Sequence, residues 1–137
     1  MKGLPGLIRL NRWKLDEARR QLAALESLAE DFRRQLAALD DELRREADFA
    51  RDSEEGARHY SAFLTASRAR RLRLEKSLAD VARQIGEAHE HVTNAFQELK
   101  RYEIALAARE KKQNEAARRA DQLRTNEVGL NQYRRRG

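Results

Sequence analysis

The sequence predicts an all-α fold, a long antiparallel two-helix coiled-coil hairpin, and three observations carry that prediction. Ala, Leu, Glu, Arg, Gln and Lys dominate the 137 residues, and the one proline is Pro5, a mixture that favours helix throughout. Apolar residues recur every three and four positions in two long blocks. Between the blocks the recurrence falters over "RDSEEGARHYSAFLTASRARR", residues 51–71, where Ser53, Gly56, Ser67 and Arg71 interrupt it.

The first arm spans about residues 5–52. With Leu15 at heptad position a, the a series reads Ile8, Leu15, Leu22, Ala29, Leu36, Leu43 and Ala50. The d series reads Leu4, Asn11, Ala18, Leu25, Phe32, Leu39 and Glu46. Such a narrow stripe is a coiled-coil seam, whereas a helix packed in a globular core shows a broader face. The second arm spans about residues 60–130, with Leu78, Ile85, Val92, Leu99 and Leu106 at a, and Leu74, Val81, Ala88, Ala95 and Tyr102 at d. Past Leu106 the seam decays through Arg109 and Gln113, then partly recovers at Ala116, Ala120, Leu123 and Leu130. The whole chain, 1–137, reads as one hairpin unit.

The two blocks share a heptad phase, so one uninterrupted helix in a parallel dimer is compatible with the pattern. Gly56 alone does not forbid it, since an interior glycine costs about 1 kcal/mol. Charge favours the hairpin. Residues 26–55 carry five basic and eleven acidic side chains, and residues 56–76 carry six basic and one acidic. Folding back lays acid against base, whereas a parallel dimer stacks like on like. The turn is therefore expected between residues 50 and 62, with arms of similar length, about 50 residues and roughly 75 Å each. Ile8 is expected near Ile104, Leu15 near Leu99, Leu22 near Val92 and Leu36 near Leu78.

The composition also excludes function classes. No cysteine is present, which removes disulfides and thiolate metal sites. No run of about 18 apolar residues is available to span a membrane, and "MKGLPGLIRLNRWK" lacks the apolar core of a signal peptide. A soluble, unexported protein is expected. His89 and His91 flank Glu90, but residues two apart on a helix point in different directions and cannot share one ion. No zinc-protease, nucleotide-binding or nucleophile-elbow motif occurs, so neither enzymatic activity nor a cofactor is expected. "KKQNEAARRADQLR", residues 111–124, faintly resembles a leucine-zipper basic region, but its asparagine-to-alanine spacing differs, and no specific nucleic-acid binding is expected.

Both ends are basic: residues 1–25 hold six basic and two acidic groups, and residues 100–137 hold eleven and five. A hairpin is expected to bring Arg9, Arg12 and Lys14 together with Arg118, Arg119 and Arg124, a charged surface suited to an acidic cavity or an anionic membrane. Leu7, Leu10 and Trp13 lie off the seam and form a second stripe, either packing on the flank of the partner arm or acting as a binding face.

Several of these stretches together resemble the FliJ family of flagellar type III export. "RLNRWKLDEARRQLAALE", residues 9–26, is similar to the family's amino-terminal helix. "HYSAFL", residues 59–64, is similar to its Y-x-x-F-[IL] element, and "RTNEVGLNQYRRR" to its polar ending. The resemblance implies a non-enzymatic, stalk-like coiled coil at the cytoplasmic face of the inner membrane. The end holding both termini would sit in the ring of the flagellar export ATPase, with Leu7, Arg9, Leu10, Arg12, Trp13, Lys14, Arg118, Arg119 and Arg124 as its contacts. Gln35, Leu39 and Phe63 would contact the cytoplasmic domain of the export gate, and export chaperones would be further partners. Where the family's first-helix patch has aromatic residues, this chain has Glu42 and Glu46, and Leu74 replaces a polar family position. A competing reading, a dimeric coiled-coil adaptor or tether with no ATPase partner, fits the same periodicity.

Overall fold

The computed structural model describes residues 3–136. They form two helices, α1 (Leu4–Asp52) and α2 (Glu54–Arg136), packed against each other as a helical hairpin, with no strand among the described residues. Pro5 is accommodated in the first turn of α1, where a missing N–H is harmless, and Leu7 N–H donates to the Gly3 carbonyl at 2.9 Å.

The break is the single residue Ser53, inside the expected window. Ser53 is the N-cap of α2: its Oγ accepts from Gly56 N–H at 2.9 Å, and its carbonyl accepts from Ala57 N–H at 3.1 Å. Glu54 and Glu55 add negative charge to the positive end of the helix dipole. Gly56 is not the mildly costly interior glycine that the sequence suggests. It is buried, and a Cβ built there would lie 2.7 Å from the Phe49 carbonyl oxygen and 2.8 Å from Phe49 Cδ1. Its φ is not positive, so the requirement is space for close backbone approach.

The chain packs as two compact units, residues 1–14 with 95–137 and residues 15–94. In the second unit the seam is closed by buried Leu15, Ala29 and Leu39 of α1 and buried Leu74, Val81 and Ala88 of α2. Antiparallel register shows in two pairs, Asp40 with Arg71 and Glu26 Oε1 with His89 Nε2 at 3.9 Å. Arg71 occupies a seam a position and reaches out to Asp40, while also approaching Glu75 on its own helix. Here the expected acid-on-base match is realised at one cross-helix pair. Most other ion pairs join residues three apart on one helix and contribute little.

In the first unit, Leu4, Ile8 and Asn11 of α1 are buried, as is Leu99 of α2, with Tyr102 and Leu106 half-buried. Asn11 is satisfied inside its own helix, its Nδ2 donating to the Leu7 carbonyl at 2.7 Å. The expected Ile8–Ile104 pairing does not form. Ile104 sits two positions short of the a residue Leu106 and is exposed, while Ile8 lines a groove with Leu106 and Ala107.

The expectation of equal arms also fails. α1 has 49 residues and α2 has 83, because the helix-favouring sequence after Leu106 meets no proline, and Gly129 alone does not stop it. From Glu110 to Arg136 every residue is exposed except half-buried Ala120, so the partial seam at Ala116, Leu123 and Leu130 has no cover among the described residues.

These contacts give a stability test. Gly56→Ala must displace the Phe49 backbone and is expected to lower unfolding free energy by about 1–3 kcal/mol, against about 0.5–2 kcal/mol for loss of the cap in Ser53→Ala. Leu39→Ala is expected to cost about 2–4 kcal/mol. Alanine at the exposed Gly86, where nothing lies within 4 Å of an added Cβ, is expected to stabilise. Urea denaturation followed by circular dichroism decides; equal behaviour of Gly56→Ala and Gly86→Ala would contradict the close approach.

Candidate functional site

The seam consumes the a and d positions, and what remains outward is available for partners. In the first unit Leu7, Leu10 and Trp13 follow one another at three-residue spacing on α1 and are all exposed, Trp13 at 58%. They do not fold back onto the flank of α2 as buried packing residues. Arg9, Arg12 and Lys14 are exposed beside them. An open groove of about 490 Å³ lies between the helices here, floored by Pro5, Ile8, Leu106 and Ala107. Arg9 and Arg12 line it from α1, and Glu103 and Glu110 from α2, so the basic character is partly offset by facing carboxylates.

Arg118, Arg119 and Arg124 share this unit but are not brought up to Arg12. Arg12 lies alongside Glu103 in the groove, and fifteen further residues of helix carry the chain roughly 20 Å along α2 to Arg118. The three arginines occupy the exposed stretch of α2, where Arg119 borders a shallow cleft with Gln122, Leu123 and Asn126. The expected single cluster is therefore two groups, separated because α2 outruns α1.

In the second unit, Gln35 is exposed and Phe63 half-buried, the latter edging a cleft of about 250 Å³ with Glu42, Arg45 and Glu46. Glu42 and Glu46 thus border the same cleft as Phe63. Leu39 is different: it is 3% exposed, a d residue turned into the seam, and cannot offer its side chain to a partner without unzipping the helices. Leu74 is likewise buried. His59, His89 and His91 are exposed, and no group of potential metal ligands occurs among the described residues.

Sequence periodicity passes over further exposed apolar side chains, among them Leu28, Phe49, Leu72 and Phe96. All four lie off the a/d series, which is the signal that could have found them. Phe96 carries the Lys100 ammonium 5.5 Å from its ring centroid, a weak cation–π contact at the surface.

Two helices closed by one heptad seam, with apolar and basic rows left outward, define a coiled-coil protein. The family model described as "Flagellar FliJ protein" matches residues 1–137, the whole chain. The chain belongs to the FliJ family and is a component of flagellar protein export. No curated protein and no solved structure matches it. No described helix is long and apolar enough to cross a membrane.

The contrast between Leu39 and Gln35 is measurable without any partner. Leu39→Ala is expected to lower Tm by several degrees, whereas Gln35→Ala, on an exposed helix surface, is expected to leave it within about a degree. Thermal scans of both variants check this, and equal losses would place Gln35 in the packing.

Proposed function

We propose that this chain is the stalk-like coiled coil of the flagellar export apparatus, which seats in the ring of the export ATPase through its first unit and contacts the export gate through its second. The observation that carries the reading is the row Leu7, Leu10 and Trp13, exposed on a helix whose seam is already filled and bordered by Arg9, Arg12 and Lys14. An exposed tryptophan bordered by arginines has the composition of a binding hot spot. The arginines and Lys14 steer an acidic ring interior toward it over about 8 Å at physiological salt, raising the association rate more than the final affinity. Arg118, Arg119 and Arg124 extend the basic surface along α2.

Gate contact falls to Gln35 and Phe63 at the surface, with Leu39 holding α1 in place beneath them. All nine ATPase candidates lie in one compact unit and all three gate candidates in the other, which supports two separable interactions. The protein would thereby aid coupling of ATP hydrolysis to export at the cytoplasmic face of the membrane, regulate the ATPase without chemistry of its own, and escort export chaperones.

The test is capture of each variant by the purified export ATPase and, separately, by the gate's cytoplasmic domain. Leu10→Ala with Trp13→Ala and Lys14→Glu is expected to keep helix content while reducing ATPase capture and stimulation at least about tenfold. Gln35→Ala with Phe63→Ala is expected to spare the ATPase and weaken the gate. If neither partner captures the unaltered chain, the stalk reading fails and a coiled-coil adaptor without an ATPase takes its place. If the triple variant still stimulates hydrolysis, ring contact lies elsewhere.

A further inference from the structure

The seam does not end where α1 ends. Leu99, Tyr102 and Leu106 face α1, and the same a/d line, interrupted by Arg109, Gln113 and Glu127, continues through Ala116, Ala120, Leu123 and Leu130. On that continuation Leu123 is 64% exposed, and Val128, Leu130 and Tyr133 are exposed beside it. Among the described residues no ion pair forms within 111–136, whereas α1 carries pairs three apart from Glu17 to Arg51 and α2 carries them at Glu98–Arg101 and Lys100–Glu103, just before this stretch. This stretch is thus neither covered by α1 nor laced by its own charges. A helix of that kind is marginal alone and gains stability when its apolar line is buried.

We propose that the seam of α2 beyond Glu110 is a docking surface for an acidic amphipathic helix of another protein, which takes up the heptad line where α1 leaves it. Charge selects this occupant. Residues 111–136 carry eight basic and three acidic side chains, so a second copy laid on the same stretch would set like charge against like. The positions flanking the seam, which choose coiled-coil partners, include Lys112, Arg119 and Arg124. A partner helix with leucines in register and carboxylates at its own flanks satisfies both. The cleft formed by Arg119, Gln122, Leu123 and Asn126 gives a side chain of that helix a place to enter beside an arginine. This goes beyond ring docking, which rests on the outward row of α1 and on charge; it requires no ATPase.

The probe is a synthetic helical peptide of about four heptads, leucine at a and d and glutamate at e and g, with a lysine-flanked twin and a scrambled acidic peptide of identical composition. Titrated against the full chain at physiological salt, the acidic heptad peptide is expected to bind one per chain and to slow amide exchange across residues 113–133. Leu123→Asn with Leu130→Asn is expected to weaken it at least about tenfold, while Leu72→Asn, equally exposed elsewhere, leaves it unchanged. Circular dichroism of both variants confirms retained helix. Binding of the scrambled peptide equal to that of the heptad peptide would reduce the surface to nonspecific charge and overturn the proposal. So would equal affinity for the lysine-flanked twin, or unchanged binding to the double variant. Sedimentation showing that the chain alone dimerises, and that Leu123→Asn with Leu130→Asn abolishes the dimer, would assign the surface to a second copy instead.

Discussion

Everything in this chain depends on one line of apolar side chains, one heptad phase running through both helices. From Leu4 to Arg109 the a and d positions are all buried or half-buried except Ser53 and Ala57, the two that flank the reversal. No second layer stands behind this line, so each seam residue carries a large share of the burial that opposes chain entropy. Among the described residues no large side chain is fully enclosed, the geometric signature of a core only two helices wide. Such a core tolerates polar members when they are satisfied at its edge. Asn11 bonds its own helix, and Arg71 reaches Asp40.

A shared phase raises the problem of why the chain reverses at all, since the same pattern permits a continuous helix. The answer is local. Ser53 offers the next turn of backbone an alternative partner for its amides, as serine does where helices begin, and Gly56 lets that turn come down onto the Phe49 carbonyl. The cap makes reversal possible and the absent Cβ makes it close. Opposed charge in the flanking segments then works in the same direction, although its direct expression is the Asp40–Arg71 pair. Composition sets a preference, and two small residues supply the geometry.

That division explains how much of the molecule is legible in its sequence. The seam is legible residue by residue, because a heptad period forces a and d inward whatever else happens, and the turn window is legible from the faltering of that period. Pairing across the seam is less so: folding the chain near Gly56 matches Ile104 to Ile8, yet helical phase puts Leu106 there. The length of α2 is hidden because good helix formers carry no stop signal, and with it goes the expected gathering of Arg118, Arg119 and Arg124 beside Arg12. At the candidate sites, phase alone places Leu7, Leu10, Trp13 and Gln35 outward, where they are found. Leu39 enters the gate set through resemblance, and its own d position already contradicts a direct contact.

A one-line core also constrains how binding surfaces are added to it. A residue cannot serve both the seam and a partner, so contacts must be drawn from the outward rows, where substitution costs little stability. Trp13 and Leu10 meet that condition, as do Gln35 and the exposed edge of Phe63. Leu39 does not, and loss of a partner on its removal would report loosened helices as much as lost contact. The exception is α2 beyond Glu110, where the seam itself is outward because no described α1 residue covers it. There alone can the strongest association device in the molecule, its heptad line, be directed at another protein without being taken from the fold.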